Sequence, residues 1–293
     1  MDSMITLEIV KNIIERRNEE IHKGDCGRIL IAAGSEGMAG AAVLCGRGAM
    51  RAGAGLVQIL APKELFPVLQ VGLVEATCLE RDLSKIDLGR FDAAAIGPGL
   101  GGSKESIQLV RDMIESFDGP LVADADGLNI IAAENLFPEL WSRKARGSDT
   151  VITPHMGEAQ RLLGEEKYKS FLAKGRKAVA IALAEKTGAI TILKGSATIV
   201  ATEEGKTYTN TTGNPGMATG GSGDVLTGIV TALMGQKLRD GKLRSPIDGA
   251  IAGVFIHGLA GDLGARELGQ YGLMAGDIAH YTALAIKRVL EES

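Results

Sequence analysis

The chain has 293 residues, of which 45% are hydrophobic, 23% charged and 4% aromatic, and its formal net charge is −4. This length suits one large α/β domain, and the lack of linkers and internal repeats predicts a single domain over residues 1–293. The acidic balance and the few aromatic side chains argue against a nucleic-acid-binding protein, and the apolar runs are too short to span a membrane.

The N-terminus and the cysteines indicate the compartment. The first four residues, Met1-Asp2-Ser3-Met4, carry an acid and lead into a polar, charged stretch, which is not typical of a signal peptide. The three cysteines, Cys26, Cys45 and Cys78, are far apart, odd in number and without metal-binding spacing. We therefore expect reduced, structural thiols in a soluble, cytoplasmic protein.

Strand and helix patterns alternate along the first half of the chain. The patterns predict helices over residues 7–20, 41–51 and 104–116, with Ser103 as the N-cap of the last one. They predict strands over residues 28–33, 55–60, 75–79, 92–96 and 120–123. The Gly-rich turn at 34–40 has neither the Rossmann spacing nor the Gly-Lys-Ser/Thr of a Walker A loop.

The alternation continues in the second half. Strands are predicted at 150–152 and 189–193, a hairpin at 198–201 and 206–209, and helices at 159–163, 168–187, 225–234, 247–260 and 275–291. The short basic runs 141–146 and 174–177 are interpreted as solvated faces. Because the strands are short, apolar on both sides and separated by helices, they predict a three-layer α/β/α fold with a mainly parallel central sheet.

Polar and Gly-rich clusters follow several of the predicted strands. They occupy residues 97–102, 124–129, 153–158 and 194–198. Ligands of open α/β sheets bind at the carboxyl ends of the strands, so we expect these clusters to share one ligand-binding edge.

The segment 214–224 is the most informative of the Gly-rich stretches. It holds four glycines and ends in Asp224, directly before an apolar helical pattern. A helix N-terminus that follows flexible glycines can bind a phosphate or a developing oxyanion. From the residues alone, Asp224 has three interpretations: a helix cap or turn residue, part of a simple anion site, or a general base beside that site.

These clusters, in this order, resemble the ADP-dependent NAD(P)H-hydrate dehydratases, a family with a ribokinase-like fold. The resemblance extends from residue 20 to the C-terminus and rests on several motifs together: His22-Lys23-Gly24, Ala33-Gly34-Ser35 and residues 97–101, 124–129, 153–158, 194–198 and 214–224. An epimerase domain precedes this one in many relatives. The short N-terminal segment here leads us to expect a stand-alone dehydratase.

The resemblance implies repair of damaged nicotinamide cofactors. The implied reaction phosphorylates the ring hydroxyl of the S form of NADH hydrate or NADPH hydrate, and then eliminates phosphate to give NADH or NADPH. The implied donor is ADP, which leaves as AMP, although the residues do not distinguish ADP from ATP. Magnesium (Mg2+) is expected to neutralise the nucleotide phosphates. The resemblance also implies a homotetramer.

The resemblance implies a role for each motif. Asp224 would be the base that takes the hydroxyl proton, and it would contact the hydrate. The amides of Gly221, Ser222 and Gly223 would bind the transferred phosphoryl group. The implied nucleotide-binding residues are Gly223 and Lys194, Gly195, Ser196, Ala197 and Thr198. The implied hydrate-binding residues are Ala42, Gly99 and His155, and no protein ligand for a metal is implied.

Plainer interpretations of the same residues stay open. His155 could merely shape a turn, and Lys194 at a strand end faces solvent by default. Asp124 and Asp126 are interpreted as turn formers or N-caps without an assigned role. His257 lies in an apolar helical pattern and is interpreted as a core or interface histidine.

Two other function classes stay open as well. A small-molecule kinase of the hydroxyethylthiazole kinase type would have a similar loop and acid, because both reactions begin by phosphorylating an alcohol. A catalytically idle nucleotide-binding module is the third alternative. The Lys-Gly-x-x-Thr and Thr-Pro-His-x-Gly-Glu motifs favour the dehydratase.

Overall fold

The computed structural model describes residues 2–291, and its centre is one sheet of ten strands. The strands are β1 Asp2–Ile5, β2 Arg28–Ala32, β3 Leu56–Leu60, β4 Thr77–Leu79, β5 Ala93–Ile96, β6 Leu121–Ala123, β7 Thr150–Ile152, β8 Ile190–Leu193, β9 Ile199–Ala201 and β10 Thr207–Asn210. Their order across the sheet is β1-β10-β9-β8-β7-β6-β5-β2-β3-β4. Among these strands β9 alone runs antiparallel to its neighbours, so the prediction of a mainly parallel sheet is confirmed.

Helices cover both faces of this sheet. They are α1 Leu7–Ile13, α2 Ala39–Arg51, α3 Phe66–Gly72, α4 Lys104–Ser116, α5 Asp126–Ala133, α6 Phe137–Ala145, α7 Met156–Leu163, α8 Glu165–Leu172, α9 Arg176–Thr187, α10 Ser222–Met234, α11 Pro246–Gly272 and α12 Ala275–Glu291. Within residues 2–291, no helix combines the length and the apolar character needed to cross a membrane.

The two faces of the sheet build two separate cores. Along β2, the side chains of Ile29 and Ile31 join the core under α2, α10, α11 and α12, and those of Leu30 and Ala32 join the core under α4–α9. This alternation follows from the two-residue period of a strand. Because both faces are buried, the strands read as continuous apolar runs in the sequence.

Helix α10 lies in the middle of the first core. All of its residues from Val225 to Met234 are buried. The apolar pattern predicted an amphipathic helix with one exposed face, whereas this helix is covered on all sides. A glycine allows α10 to pack on the backbone of α2: a Cβ at Gly228 would lie 1.9 Å from the carbonyl oxygen of Cys45. This close contact fixes the position at which α10 begins.

Several predicted boundaries are wrong. The helix predicted over 168–187 is two helices, because Gly175 between them has φ +101°. The first helix ends at Ile13 instead of residue 20, because Ile14 turns to an extended conformation. Helix α10 starts at Ser222, three residues before the apolar pattern begins. Strand β1 and helices α3, α5 and α6 were not predicted.

The interpretation of residues 141–146 as a solvated face is wrong for Arg143. This side chain is completely buried, and its guanidinium donates to the carbonyl oxygens of Phe117 and Gly119. Burial lowers the pKa of Arg143 to about 10. Arg143 therefore ties α6 to the turn that leads into β6, a contact between segments that local composition does not reveal.

Candidate active site

A cleft of about 660 Å³ lies at the carboxyl edge of the sheet. Its walls come from the turns after β8 and β10, the first turn of α10 and the middle of α11. The lining residues are His155, Lys194, Gly195, Ser196, Ala197, Thr198, Asn210, Thr212, Gly213, Asn214, Pro215, Met217, Ala218, Ser222, Gly223, Leu226, Val254, His257 and Gly258. The five residues 194–198, Gly223 and His155 thus share one cleft, which suits the predicted ligand-binding edge.

Two of the predicted hydrate-binding residues do not line this cleft: Ala42 lies in the first turn of α2, and Gly99 lies in the turn after β5, packed against the start of α2. Ala42 is completely buried. Gly99 has φ +57°, and a Cβ at this position would lie 2.9 Å from the Cβ of Ala41 and 3.0 Å from the Cβ of Met38. Neither residue is part of the lining of the cleft around residues 194–198.

Asp224 is the third residue of α10, not its cap. The N-cap is Gly221, which has φ +89° and no side chain to accept a hydrogen bond. The interpretation of Asp224 as a cap is therefore wrong. Its carboxylate is half-buried in the first turn of the helix. The helix dipole by itself would favour the ionised form at this position.

The surroundings of Asp224 favour its protonated form. Burial raises the pKa of this carboxyl group, and the negative charge of Asp124 raises it further, while Lys194 opposes them; the result is about 7. A carboxylate with a pKa near neutrality can take up a proton efficiently at neutral pH. A carboxyl group with this pKa beside a helix N-terminus is compatible with the predicted role of Asp224 as a general base.

The first turn of α10 presents amide groups toward the cleft. Ser222 N donates to the carbonyl oxygen of Thr219 over a long 3.4 Å, and the amides of Gly221 and Gly223 have no acceptor within residues 2–291. A Cβ at Gly223 would lie only 3.1 Å from Lys194 Nζ. The helix N-terminus and the lysine ammonium thus lie close together, a combination that suits an anion.

Lys194 does not face solvent as its default interpretation suggested. Its side chain is 19% exposed, and Nζ lies 2.7 Å from Asp124 Oδ1 and 3.9 Å from Glu158 Oε2. Burial alone would lower the pKa of Lys194, but the carboxylates of Asp124 and Glu158 outweigh it and raise the pKa. The ammonium group is therefore charged and held at the floor of the cleft.

Asp124 was interpreted from the sequence as a turn former, but it is an ion-pair partner. It follows β6, is 1% exposed, and its Oδ2 accepts a hydrogen bond from Thr227 Oγ1 at 2.7 Å. Asp126, two residues later, accepts from the amide of Gly101 at 2.8 Å and so stabilises the neighbouring Gly-rich turn. The signal that could have identified Asp124 is its place directly after a buried strand, at the ligand edge.

His155 both shapes a helix and lines the cleft. Its Nδ1 accepts from the amides of Gly157 and Glu158 at 3.0 and 3.3 Å, and Glu158 Oε2 accepts from the His155 amide at 2.8 Å. This capping box fixes the start of α7. Because Nδ1 accepts, the neutral ring carries its proton on Nε2, and Nε2 lies 3.3 Å from Glu158 Oε1.

His257 has a partner that sequence reasoning missed. Its Nε2 lies 2.9 Å from the carbonyl oxygen of Ser222 and 3.3 Å from Ser222 Oγ. Burial lowers the pKa of His257 to about 4, against the opposite effect of the Ser222 hydrogen bond. The ring is therefore neutral at physiological pH, and it braces the first turn of α10 from α11.

Arg176 was missed as well, because the run 174–177 was interpreted as a solvated face. It begins α9, and its Nη2 donates to the carbonyl oxygens of Lys194 and Leu193 at 3.3 and 3.4 Å. Its Nη1 donates to the Ser196 carbonyl oxygen. One guanidinium thus holds three carbonyls of the turn that lines the cleft.

A second cleft, of about 770 Å³, lies at the opposite edge of the sheet. Two of its arginines are engaged by backbone carbonyls: Arg244 donates to the carbonyl oxygens of Ile13 and Leu233, and Arg17 donates to that of Gly53. These carbonyls lie at or near the C-terminal ends of α1, α10 and α2, where cations are favoured. We therefore place the candidate active site at the carboxyl edge.

Known proteins resemble this chain over most of its length. A family model described as NAD(P)H-hydrate dehydratase matches residues 29–283. The bifunctional NAD(P)H-hydrate repair enzyme of Moorella thermoacetica is 37% identical over 304 residues, covering 99% of this chain and 54% of that protein. The ADP-dependent (S)-NAD(P)H-hydrate dehydratase of Neisseria meningitidis is 34% identical over 272 residues, covering 92% of this chain and 88% of that protein.

Solved structures share the fold. The ADP/ATP-dependent NAD(P)H-hydrate dehydratase of Bacillus subtilis, co-crystallised with ATP/Mg2+, superposes with a TM-score of 0.83 at 29% identity and covers 98% of both chains. Similar folds include a ribokinase-like superfamily protein, so the prediction of a ribokinase-like fold is confirmed. The chain spans about half the length of the first curated relatives it matches. The match to most of its own length nevertheless shows that this chain belongs to the NAD(P)H-hydrate dehydratase family.

Proposed function

We propose that this protein is an enzyme that dehydrates the S form of NADH hydrate and NADPH hydrate, with ADP as the phosphoryl donor. The products are NADH or NADPH, AMP and phosphate. The observation that carries this proposal is the position of Asp224, whose pKa is about 7, beside the first turn of α10 and the ammonium of Lys194. A base and an anion-binding helix terminus at one point are what a phosphoryl transfer to an alcohol requires.

In the first step, the hydroxyl of the hydrated nicotinamide ring attacks the β-phosphorus of ADP. The new bond joins this oxygen to phosphorus, and the bond between the β-phosphorus and the bridging oxygen breaks, so AMP leaves. Asp224 accepts the hydroxyl proton. The amides of Gly221, Ser222 and Gly223 stabilise the charge on the phosphoryl group in transit, and losing one such donor costs on the order of 3 kcal/mol of barrier.

In the second step, the carbon–oxygen bond breaks and phosphate leaves with the bonding electron pair. The lone pair of the ring nitrogen assists this departure, and loss of a proton from the adjacent ring carbon restores the double bond. Phosphorylation matters because phosphate is a much better leaving group than hydroxide. The two steps together remove the elements of water from the ring.

The walls of the cleft suggest how the two substrates are arranged. Residues 194–198 hold the nucleotide, with Lys194 at its phosphates, since this turn lines the cleft beside Gly223. His155, whose side chain is 54% exposed, is proposed to contact the hydrate. Ala42 and Gly99 are proposed to border the hydrate from the start of α2, across the N-terminus of α10.

Magnesium is proposed to enter with the nucleotide. Among residues 2–291, no group of three or more histidines, cysteines or carboxylates could hold a metal ion, so phosphates and waters would supply most of its ligands. The charges around the site favour a bound cation. The four carboxylates of Asp124, Asp126, Glu158 and Asp224 outnumber the ammonium of Lys194 there. Bound Mg2+ would neutralise charge on the phosphates.

We propose that the protein assembles as a homotetramer and that it acts in the cytoplasm. The tetramer rests on the family resemblance and on exposed apolar side chains that a subunit contact could cover, among them Val71, Val74, Tyr271 and Met274. Light scattering at several protein concentrations tests this proposal. A monomer at all concentrations would contradict it.

The activity is tested by incubating the protein with NADH hydrate, ADP and Mg2+. We expect recovery of the absorbance of reduced nicotinamide together with stoichiometric AMP and phosphate. The same assay with ATP measures the donor preference, and NADPH hydrate measures the substrate preference. No recovery with either nucleotide refutes the proposal, while phosphorylation of a simple alcohol without dehydration would indicate a small-molecule kinase.

A further inference from the structure

Asp124 is the most buried of the four carboxylates around the site, although it does not line the cleft. It is 1% exposed, with Oδ1 at 2.7 Å from Lys194 Nζ and Oδ2 at 2.7 Å from Thr227 Oγ1. Both oxygens therefore have partners on other elements, one on the turn after β8 and one on α10.

Burial of this ion pair is not explained by stability alone. Taking a carboxylate and an ammonium out of water costs several kcal/mol per ion, and a well-packed apolar pair is often as stable. The pair lies directly under the first turn of α10, because a Cβ at Gly223 would be 3.1 Å from Lys194 Nζ and 3.9 Å from Asp124 Oδ2. Its location at the proposed phosphoryl site points to a role in the reaction.

We infer that Asp124 is a positioning residue of the reaction: it holds the Lys194 ammonium under the N-terminus of α10 and supplies the negative charge beside which Asp224 acts as base. This inference rests on the proposed function. Thr227 lies one turn after Asp224 on α10, and its hydroxyl orients Asp124 by donating a hydrogen bond to it. One buried carboxylate thus links the base, the lysine and the helix.

The charges around Asp224 come from several elements. They are those of Asp124 after β6, Asp126 on α5, Glu158 on α7 and Lys194 after β8, and the Cys45 thiol of α2 is also close. After burial, the charge of Asp124 contributes most to raising the pKa of Asp224, and Lys194 lowers it. Removing the charge of Asp124 should therefore lower this pKa, and removing that of Lys194 should raise it.

The pH–rate profile tests the inference with two variants of opposite sign. Because Asp224 acts as a base, the rate rises with pH through its pKa. We expect Asp124→Asn to move this acidic limb to lower pH by at least about half a unit, and Lys194→Gln to move it to higher pH. The charge-matched control is Asp240→Asn, at an exposed carboxylate that lies 3.6 Å from the Lys242 ammonium and accepts from the Lys242 amide; it should leave the profile unchanged. An acidic limb in Asp124→Asn that coincides with the control overturns the inference.

A second pair of variants covers the case in which Asp124→Asn does not fold. Thr227→Val keeps the volume but removes the hydroxyl that orients Asp124, whereas Thr227→Ser keeps the hydroxyl. We expect Thr227→Val to raise the KM for ADP by roughly threefold or more and Thr227→Ser to restore it. Equal KM values in the valine and serine variants would count against the positioning role.

Nucleotide binding separates this inference from the proposed function. If the wild-type protein does not turn over NADH hydrate, the proposed function fails, but calorimetric titration with ADP still tests the hold on Lys194. We expect Asp124→Asn to bind ADP about tenfold more weakly than the wild type and the Asp240→Asn control. Unchanged ADP affinity in folded Asp124→Asn refutes the inference whatever the activity.

Discussion

Arg176 lies behind Lys194: its Nη2 donates to the Lys194 carbonyl oxygen at 3.3 Å, while the Lys194 ammonium points away to Asp124. The two basic side chains therefore have separate tasks. Arg176 holds the backbone of the turn that lines the cleft, and Lys194 offers its charge to the ligand. An arginine suits the first task because its planar group can donate to several carbonyls at once.

The first prediction concerns this division of tasks. Arg176→Met should raise the KM for ADP by about tenfold and leave kcat within about twofold, because the turn loses three hydrogen bonds but the base and the helix N-terminus stay in place. Steady-state kinetics at saturating NADH hydrate measure both constants. The neighbouring Lys177→Met is the control, since Lys177 is exposed and its ammonium pairs with Asp2 on β1. A loss confined to kcat would contradict this prediction.

The second prediction concerns the base. Asp224→Asn should lower kcat by at least about a thousandfold while ADP binding persists, because the amide cannot accept the hydroxyl proton. In the wild type, the rate should fall as pH drops below about 7, the pKa that burial and Asp124 give to this carboxyl group. Single-turnover assays between pH 5 and 9 measure the limb. Full turnover in Asp224→Asn would remove Asp224 from the mechanism.

The third prediction concerns stability, and its sign follows from the same pKa. The raised pKa means that the folded state favours protonated Asp224, so this group stabilises folding below pH 3.8 and loses that contribution as pH rises through about 7. Asp224→Asn should therefore be more stable than the wild type at pH 8, by no more than about 4 kcal/mol and by less where solvent screens the carboxylate. The gain should disappear near pH 4. Denaturant unfolding at both pH values measures it, and equal gains at the two would contradict the assignment.

The fourth prediction concerns the helix N-terminus. Gly223→Ala should lower kcat/KM by roughly tenfold or more, because the added Cβ would come within 3.1 Å of Lys194 Nζ and intrude on the phosphoryl site. Gly220→Ala is the matched control in the same loop, since a Cβ there would meet no atom within 4 Å. Thermal unfolding of both variants separates a catalytic defect from a folding defect. Equal kinetic effects of the two substitutions would argue against the role of the Gly223 turn.

Much of the fold and part of the candidate site were determined by the sequence alone. Short apolar strands that alternate with helices predicted a mainly parallel sheet, because a strand buried on both faces leaves a continuous apolar run. The Gly-rich segment 214–224 located the N-terminus of α10, since glycines and an acid before an apolar helix leave a local pattern. Residues 194–198 and His155 were placed at the ligand edge because they follow strands.

Only the tertiary structure decided which polar residues act together. Asp124 and Lys194 are 70 positions apart, and Arg176 reaches carbonyls on a different element, so no local period or spacing relates them. A polar turn has the same local composition whether it is exposed to solvent or holds a buried ion pair. The difference depends on whether another segment of the chain packs over it. The sequence by itself therefore determined that Asp224 lies between a Gly-rich segment and an apolar helix. The packing of α10 on β5 and β6, with Lys194 of the turn after β8 beside its first turn, decided that Asp224 is half-buried among carboxylates. Burial and charge together set its proton affinity.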